Sequence, residues 1–554
     1  MTDAMLLTLA IFLPLIGAGV LWVVAPAGRD SVRYAALAIT ILTFIAAASV
    51  VAKFPVTASP DAFAVTNVSW HTDANYDIRW HVGLDGLGVW MFGLSSLLFI
   101  TAVLVSWEAI KEREPLFYAM LLLLEFGCLG VFAARDLLLF YSFFEFTLIP
   151  LFFLIGIWGS EDRRYAAIKF FIYTLAGSVL TFLGLLAIVV WDYQHAGQDV
   201  LRFSIPDLQA TLARHPLPVT WQMWVFLALF AGFAIKVPLF PVHTWLPLAH
   251  VQAPTAGSVI LAGVLLKIGV YGFVRFNMSM LPDATLACTP WILWLSVAGI
   301  IYGALVALAQ GDMKRLIAYS SVSHLGYCML GLFSLTPLGL NGGLLQMVNH
   351  GLSTGGLFAV VGMLYERYHT REIKQLGGLA RKLPILAFFM LVFTFSSIGL
   401  PGMNGFVGEF MILLGMFQRA WVGVANMTGV QGMLVAVLSV SGVVLGAWYM
   451  LQLVQQVFFG PVKEPAHEGH EHHEIADMSL REIIALTPLV IFVVWIGLRP
   501  NDFLPAQEGP IRAVLAATEQ ASQKQVPTPQ ATVEKAAELP SETTASQEIV
   551  ARVR

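Results

Sequence analysis

Eight ionisable residues lie near the middle of long apolar runs: Glu125, Glu145, Lys169, Lys236, Lys267, His324, His350 and Glu409. Glu145 sits in LLLFYSFFEFTLIPLFFLIG, Lys236 in FAGFAIKVPLF and Lys267 in ILAGVLLKIGVYGF. A charge at the centre of a bilayer costs about 2.5–3.5 kcal/mol or more, so each one calls for a partner or a task. Carboxylates, amines and imidazoles all exchange protons once burial and neighbours move their affinities toward neutrality. Three glutamates, three lysines and two histidines spread over many helices therefore suit a relay for protons or ions. Structural ion pairs that lock helices together are the plain alternative for any one pair, and they suit a long series less well. Glu125, as a second carboxylate near Glu145, and Lys169, near enough to a helix end to snorkel, rank below the other six. The histidines lie in polar stripes. Ser320, Ser321 and Tyr327 share the helical face of His324, and Gln346 and Ser353 share that of His350.

The elements that must hold these residues are membrane helices. The 554 residues are 58% hydrophobic and only 12% charged, with a mean hydropathy of +0.76. So little charge cannot cover a soluble surface. Apolar runs of about 20 residues predict about fourteen spans, at 4–25, 33–53, 86–107, 115–133, 136–158, 165–191, 220–240, 254–276, 290–309, 316–335, 340–364, 384–417, 430–458 and 482–499. The expected fold is an all-α polytopic membrane protein. Fifteen lysines and arginines fall in loops after odd-numbered spans and seven in loops after even-numbered ones. That bias places both termini on the periplasmic side of a bacterial inner membrane. The first run is too long for a signal-peptide core and follows Asp3, so it is expected to be a retained span.

Two of the spans are broken. Pro238, Pro241 and Pro247 follow Lys236, and Gly399, Pro401, Gly402, Gly405 and Gly408 precede Glu409. Freed carbonyls are tolerated inside a membrane only against protein or water. Broken helices at corresponding places in two halves point to a transporter built from inverted repeats. Residues 1–114 form an N-terminal three-helix region, 115–276 the first five-helix repeat and 290–458 the second, inverted one. A polar cytoplasmic loop (459–481), a last span (482–504) and a polar tail (505–554), a short helix followed by disorder, complete the chain. Charge and motif content exclude other classes. A net charge of −4 offers no basic surface for nucleic acid. Cys128, Cys288 and Cys328 stand far apart, which leaves no disulfide, zinc or iron–sulfur framework. There is no glycine-rich nucleotide loop, so neither a redox cofactor nor a metal is expected in this chain. His467, His470, His472 and His473 alternate with glutamates and read as a solvated loop rather than a Zn²⁺ site.

Glu145 in the fifth span, Lys236 before a proline break, Lys267 in the eighth span and LPGMNGFVGEF in the twelfth resemble the antiporter-like subunits of respiratory complex I. The resemblance covers about residues 1–500. Within that family the twelfth-span position is commonly lysine in L and N chains and glutamate in M chains, the pattern of Glu409. The resemblance implies a proton-translocating membrane subunit of an NADH–quinone oxidoreductase, an enzyme subunit without a redox centre of its own. It implies NAD, FMN, iron–sulfur clusters and quinone in partner subunits, and the antiporter-like L and N chains as neighbours in the bilayer. It also implies that Glu145 and Lys236 form a switching ion pair, that Lys267 passes the proton inward with His324 and His350 bridging, and that Glu409 releases it. The nearest alternative is a subunit of a multi-subunit cation/proton antiporter or of a membrane-bound hydrogenase. A stand-alone solute transporter would need a pocket between the repeats, where the sequence instead spreads charge along the bundle.

Overall fold

A computed structural model describes residues 2–55, 62–73, 75–195, 197, 200–422, 429–465 and 475–525. Twelve helices among them are long and apolar enough to cross a membrane, and Val89–Val105 and Pro384–Ser397 are shorter apolar helices. Four apolar helices stand outside. Asp3–Val24, Arg29–Ala52, Val430–Phe458 and Leu480–Leu498 expose much of their apolar surface, as lipid requires. The spans carrying Lys267 and His350, Thr255–Met278 and Pro337–Tyr368, are wholly buried in the bundle, and Met313–Phe333, with His324, nearly so. Polar residues are thus gathered where protein replaces lipid.

Both expected breaks are present, but narrower than the sequence suggests. The first separates Val219–Lys236 from Trp245–Gln252. Pro238 and Pro241 lie in the gap, while Pro247 lies in the first turn of the second segment, where its missing N–H disrupts nothing. The second separates Pro384–Ser397 from Asn404–Val422. Gly399 and Gly402 turn the chain there with φ of +68° and +92°, values that favour glycine. Gly405 has a different task inside the helix. A Cβ at that position would lie 1.9 Å from the Ser396 carbonyl oxygen, so the two segments touch backbone to backbone.

Alongside the helices of the expected fold stands one small three-stranded sheet among the described residues. Phe63–Thr72 and Tyr76–Leu84 form an antiparallel hairpin, and Leu201–Arg202 pairs in parallel with its second strand. The strands are rich in Val, Thr, Trp and Tyr and alternate with polar residues, a strand pattern hidden in a segment that hydropathy reads only as a loop. The hairpin lies on the face where Asp3 pairs with Lys53 at 2.8 Å and where Trp90 Nε1 donates to the Phe503 carbonyl at 2.9 Å. This terminal face gathers both described chain ends. On the opposite face, Arg29 and Arg33 pair with Glu114, and Arg371 pairs with Asp312. The 505–554 segment opens with the helix Glu508–Gln525, whose Ile511, Val514 and Ala521 are buried in the common core. His467, His470, His472 and His473 lie outside the described residues.

Candidate functional site

Four of the expected residues form one connected buried row. Lys267 is fully buried between two stretches of π-helix, Leu261–Leu265 and Phe273–Met278. Such wide turns often accompany functional sites. Its Nζ donates to the Ala262 carbonyl and lies 2.7 Å from His350 Nδ1. While Lys267 is an ammonium it can only donate, so in that state His350 Nδ1 accepts and the ring proton sits on Nε2. That Nε2 has no hydrogen-bond partner and is shut away from solvent. The His324 ring centroid is 5.6 Å from that of His350. His324 Nδ1 meets Glu409 Oε1 at 3.2 Å and Nε2 meets Ser397 Oγ at 3.1 Å. Gln346 Nε2 also donates to Glu409 Oε1, at 3.3 Å.

The second break builds the end of this row. The other carboxylate oxygen of Glu409 packs on the turn itself, 2.9 Å from where a Cβ on Gly399 would lie. Asn349 Nδ2 donates to the Asn404 carbonyl at 2.9 Å, so the helix carrying His350 fixes the start of the helix carrying Glu409. The expected polar stripes are partly reassigned. Ser320 and Ser321 turn back to the Ile317 carbonyl, and Tyr327 donates to the Ser439 carbonyl. Gln346 serves Glu409 rather than His350. Serines in a helix satisfy themselves on the preceding turn at little cost, which removes them from the row.

The Glu145–Lys236 end is built differently. Lys236 ends the Val219–Lys236 helix, only 4% exposed, with Nζ 4.7 Å from the centroid of the Phe144 ring. Glu145 follows Phe144 at the end of Leu137–Phe146, half-buried, with Oε1 unpartnered. It lies within electrostatic reach of Lys236, yet among the described residues no ion pair within 4.0 Å joins them. An aromatic face takes the ammonium instead. Asp136 positions this helix as its N-cap, accepting from the Leu138 and Leu139 N–H groups at 3.0 and 3.1 Å.

Glu125 is fully buried with neither carboxylate oxygen hydrogen-bonded, and no hydrogen bond joins it to Glu145. Lys169, in the second turn of Arg163–His195, is half-buried and joins none of these groups. One residue absent from the sequence reading does belong here. His250 is fully buried in the second segment of the first break, stacked on Phe358 at 4.5 Å, and neither ring nitrogen has a partner. Its electrostatic neighbours are Lys314 and Lys267. Lys314 Nζ and Arg371 Nη1 cap the end of that segment through the Ala253 and Val251 carbonyls, at 2.5 and 2.8 Å. The proline-rich setting of His250 masked it, because the run around it is not apolar enough to mark a mid-span position. Among the described residues no group of three or more His, Cys, Asp or Glu is placed to hold a metal ion.

A bundle of membrane helices, two of them broken, around a buried row of amines, imidazoles and a carboxylate defines a class of ion-translocating membrane subunits. A family model described as NADH:quinone oxidoreductase/Mrp antiporter, TM matches residues 134–438. The chain is 39% identical over 511 residues to NADH-quinone oxidoreductase subunit M of Rickettsia bellii, covering 91% of this chain and 97% of that one. With the subunit M of Rhodobacter capsulatus it shares 42% over 506 residues, covering 90% and 93%. A chain of respiratory complex I from Thermus thermophilus superposes with a TM-score of 0.79 at 32% identity, over 93% of this chain and 99% of that one. A chain of the Mrp complex from Dietzia shares the fold alone, with a TM-score of 0.75 at 22% identity over 94% and 99%. The chain belongs to the antiporter-like membrane subunits of the NADH:quinone oxidoreductase/Mrp antiporter family.

Proposed function

We propose that this chain translocates protons in the membrane arm of an NADH–quinone oxidoreductase. The observation that carries this reading is the buried row Lys267–His350–His324–Glu409, in which each group is a proton donor or acceptor facing the next. Lys267 delivers a proton to His350 Nδ1, and His350 Nε2 is the atom from which it leaves. A step to His324 across 5.6 Å between ring centroids needs a ring rotation or one bridging water. His324 Nδ1 then supplies Glu409. Lys236 and Glu145 set the start: as the ammonium moves from the Phe144 face to the carboxylate, its hold on the proton rises, and as it moves back it falls. His250, unpartnered and close to Lys267, is a further stop on the way to the row.

In this reading residues 115–276 and 290–458 act as two inverted five-helix repeats, and the terminal face is periplasmic. The chain carries no redox cofactor; NAD, FMN, iron–sulfur clusters and quinone belong to partner subunits, with L-type and N-type antiporter-like chains as its neighbours in the bacterial inner membrane. The test is Lys236→Ala in the assembled complex. NADH–quinone electron transfer is expected to continue, with the protons moved per NADH falling clearly. A wild-type stoichiometry in that variant would remove Lys236 from the mechanism.

A further inference from the structure

The row leads from Lys267 toward Glu409, but Lys267 also starts a second polar face that leads elsewhere. Tyr271 and Arg275 follow at one-turn intervals, so that face runs about 12 Å along the helix toward the terminal face. Tyr271 is 1% exposed, and its hydroxyl accepts from Arg275 Nε at 3.0 Å. Arg275 Nη2 donates to Asp85 Oδ1 at 2.7 Å, and Arg135 Nη1 donates to Asp85 Oδ2 at 2.7 Å. Asp85 also accepts from the Leu87 and Gly88 N–H groups. Burial alone would raise its pKa, but the two guanidiniums outweigh burial and hold the carboxyl below its ordinary range. The cluster therefore contains two fixed cations and one carboxylate, a net charge of +1. The chain's end covers it. A Cβ on Gly86 would lie 1.7 Å from the Ala506 carbonyl oxygen, so Leu504–Gln507 rests directly on the Asp85 loop.

Arginine does not give up its proton in proteins, so it cannot carry one onward. A face that begins with a proton-carrying lysine and ends in two guanidiniums is a poor conduit. We propose that the Arg275–Asp85–Arg135 cluster is an electrostatic plug that stops protons on Lys267 from escaping to the terminal face, leaving the histidine row as their way out. One uncompensated unit charge at about 12 Å, in a medium of effective dielectric about 20, changes proton occupancy about tenfold. The sign discriminates charge from packing. Arg275→Gln brings the cluster to zero and opens the plug, whereas Asp85→Asn breaks the same ion pairs yet leaves two cations in place.

The experiment follows the decay of an imposed pH gradient in liposomes holding the purified, assembled oxidoreductase, with no NADH present. Protein-dependent decay is expected to be about tenfold faster in Arg275→Gln than in wild type. Arg275→Lys, which keeps the charge, and Asp85→Asn are expected to stay as tight as wild type. If Arg275→Gln does not assemble, Arg135→Gln carries the same test, since it too removes one of the two cations. Wild-type decay in the variant that assembles overturns the proposal. So does an Asp85→Asn complex that leaks as fast, because loosened packing would then explain both. The plug rests on Lys267 lying on the proton path. Because the leak is read at rest, it stands or falls separately from the pumping defect expected of Lys236→Ala.

Discussion

The two broken helices solve one problem in opposite ways. Both interrupt a span beside an ionisable group. At the second break the carboxylate is partnered: Glu409 holds His324 and Gln346, and Asn349 ties down the start of the following helix. At the first, Lys236 rests on the Phe144 ring and Glu145 keeps an unpartnered oxygen. A satisfied buried network is rigid and costly to disturb. An ammonium on an aromatic face is held weakly, by about 1–2 kcal/mol, and can exchange that face for a carboxylate. The first break is thus built to change partners, and the second to receive what arrives.

The contrast can be broken most severely at Gly405. Alanine there places a Cβ against the Ser396 carbonyl oxygen, which neither backbone segment can yield, and about 3 kcal/mol or more of destabilisation is expected. The readout is the fraction of complex that retains this subunit on purification. Next comes a matched pair. Glu409→Ala orphans His324 Nδ1 and the Gln346 amide and should cost about 2–3 kcal/mol, seen as a lower thermal midpoint of the complex. Glu145→Ala removes only its contacts with the Tyr141 and Ser178 hydroxyls, of which Ser178 also bonds the Leu175 carbonyl, and should cost under about 1 kcal/mol while still reducing proton translocation. Equal costs for the two would erase the distinction between the breaks. An effect of similar size is expected for Phe144→Leu, which removes the aromatic face and about 1 kcal/mol of support for the Lys236 ammonium. Its readout is the pH profile of proton translocation, whose limb set by the amine should move to lower pH as the charged form loses its partner.

The bundle was legible because lipid imposes a simple demand: about 20 apolar residues for each span, with interruptions only where protein or water can meet the backbone. Lys267, His324, His350 and Glu409 were legible one by one for the same reason, since a polar residue amid such runs stands out. Their order of contact was not. Which face of Met313–Phe333 meets which face of Asn404–Val422 is decided by packing that periodicity does not encode, so the Ser397 and Gln346 contacts appear only in three dimensions. The hairpin at 63–84 was illegible because strands on the water side of a membrane protein need no long apolar run. The pairing of Glu145 with Lys236 came from the family resemblance, but the Phe144 face under the ammonium did not, because pairing rules consider ions before faces. Nor did any residue type announce the π-helical turns around Lys267.

The contact between Gly86 and Ala506 spans 420 positions of the chain, and Trp90 bonds to Phe503 across 413. During synthesis, the loop that carries Asp85 emerges early and waits while every later span is inserted. The strand of chain that shuts it, Leu504–Gln507, is made only after the Leu480–Leu498 span. Closing so long a loop adds little equilibrium cost but delays the moment of closure. The terminal face therefore matures as a late stitch, and a ribosome that stops before residue 506 leaves a bundle whose first seam stays open.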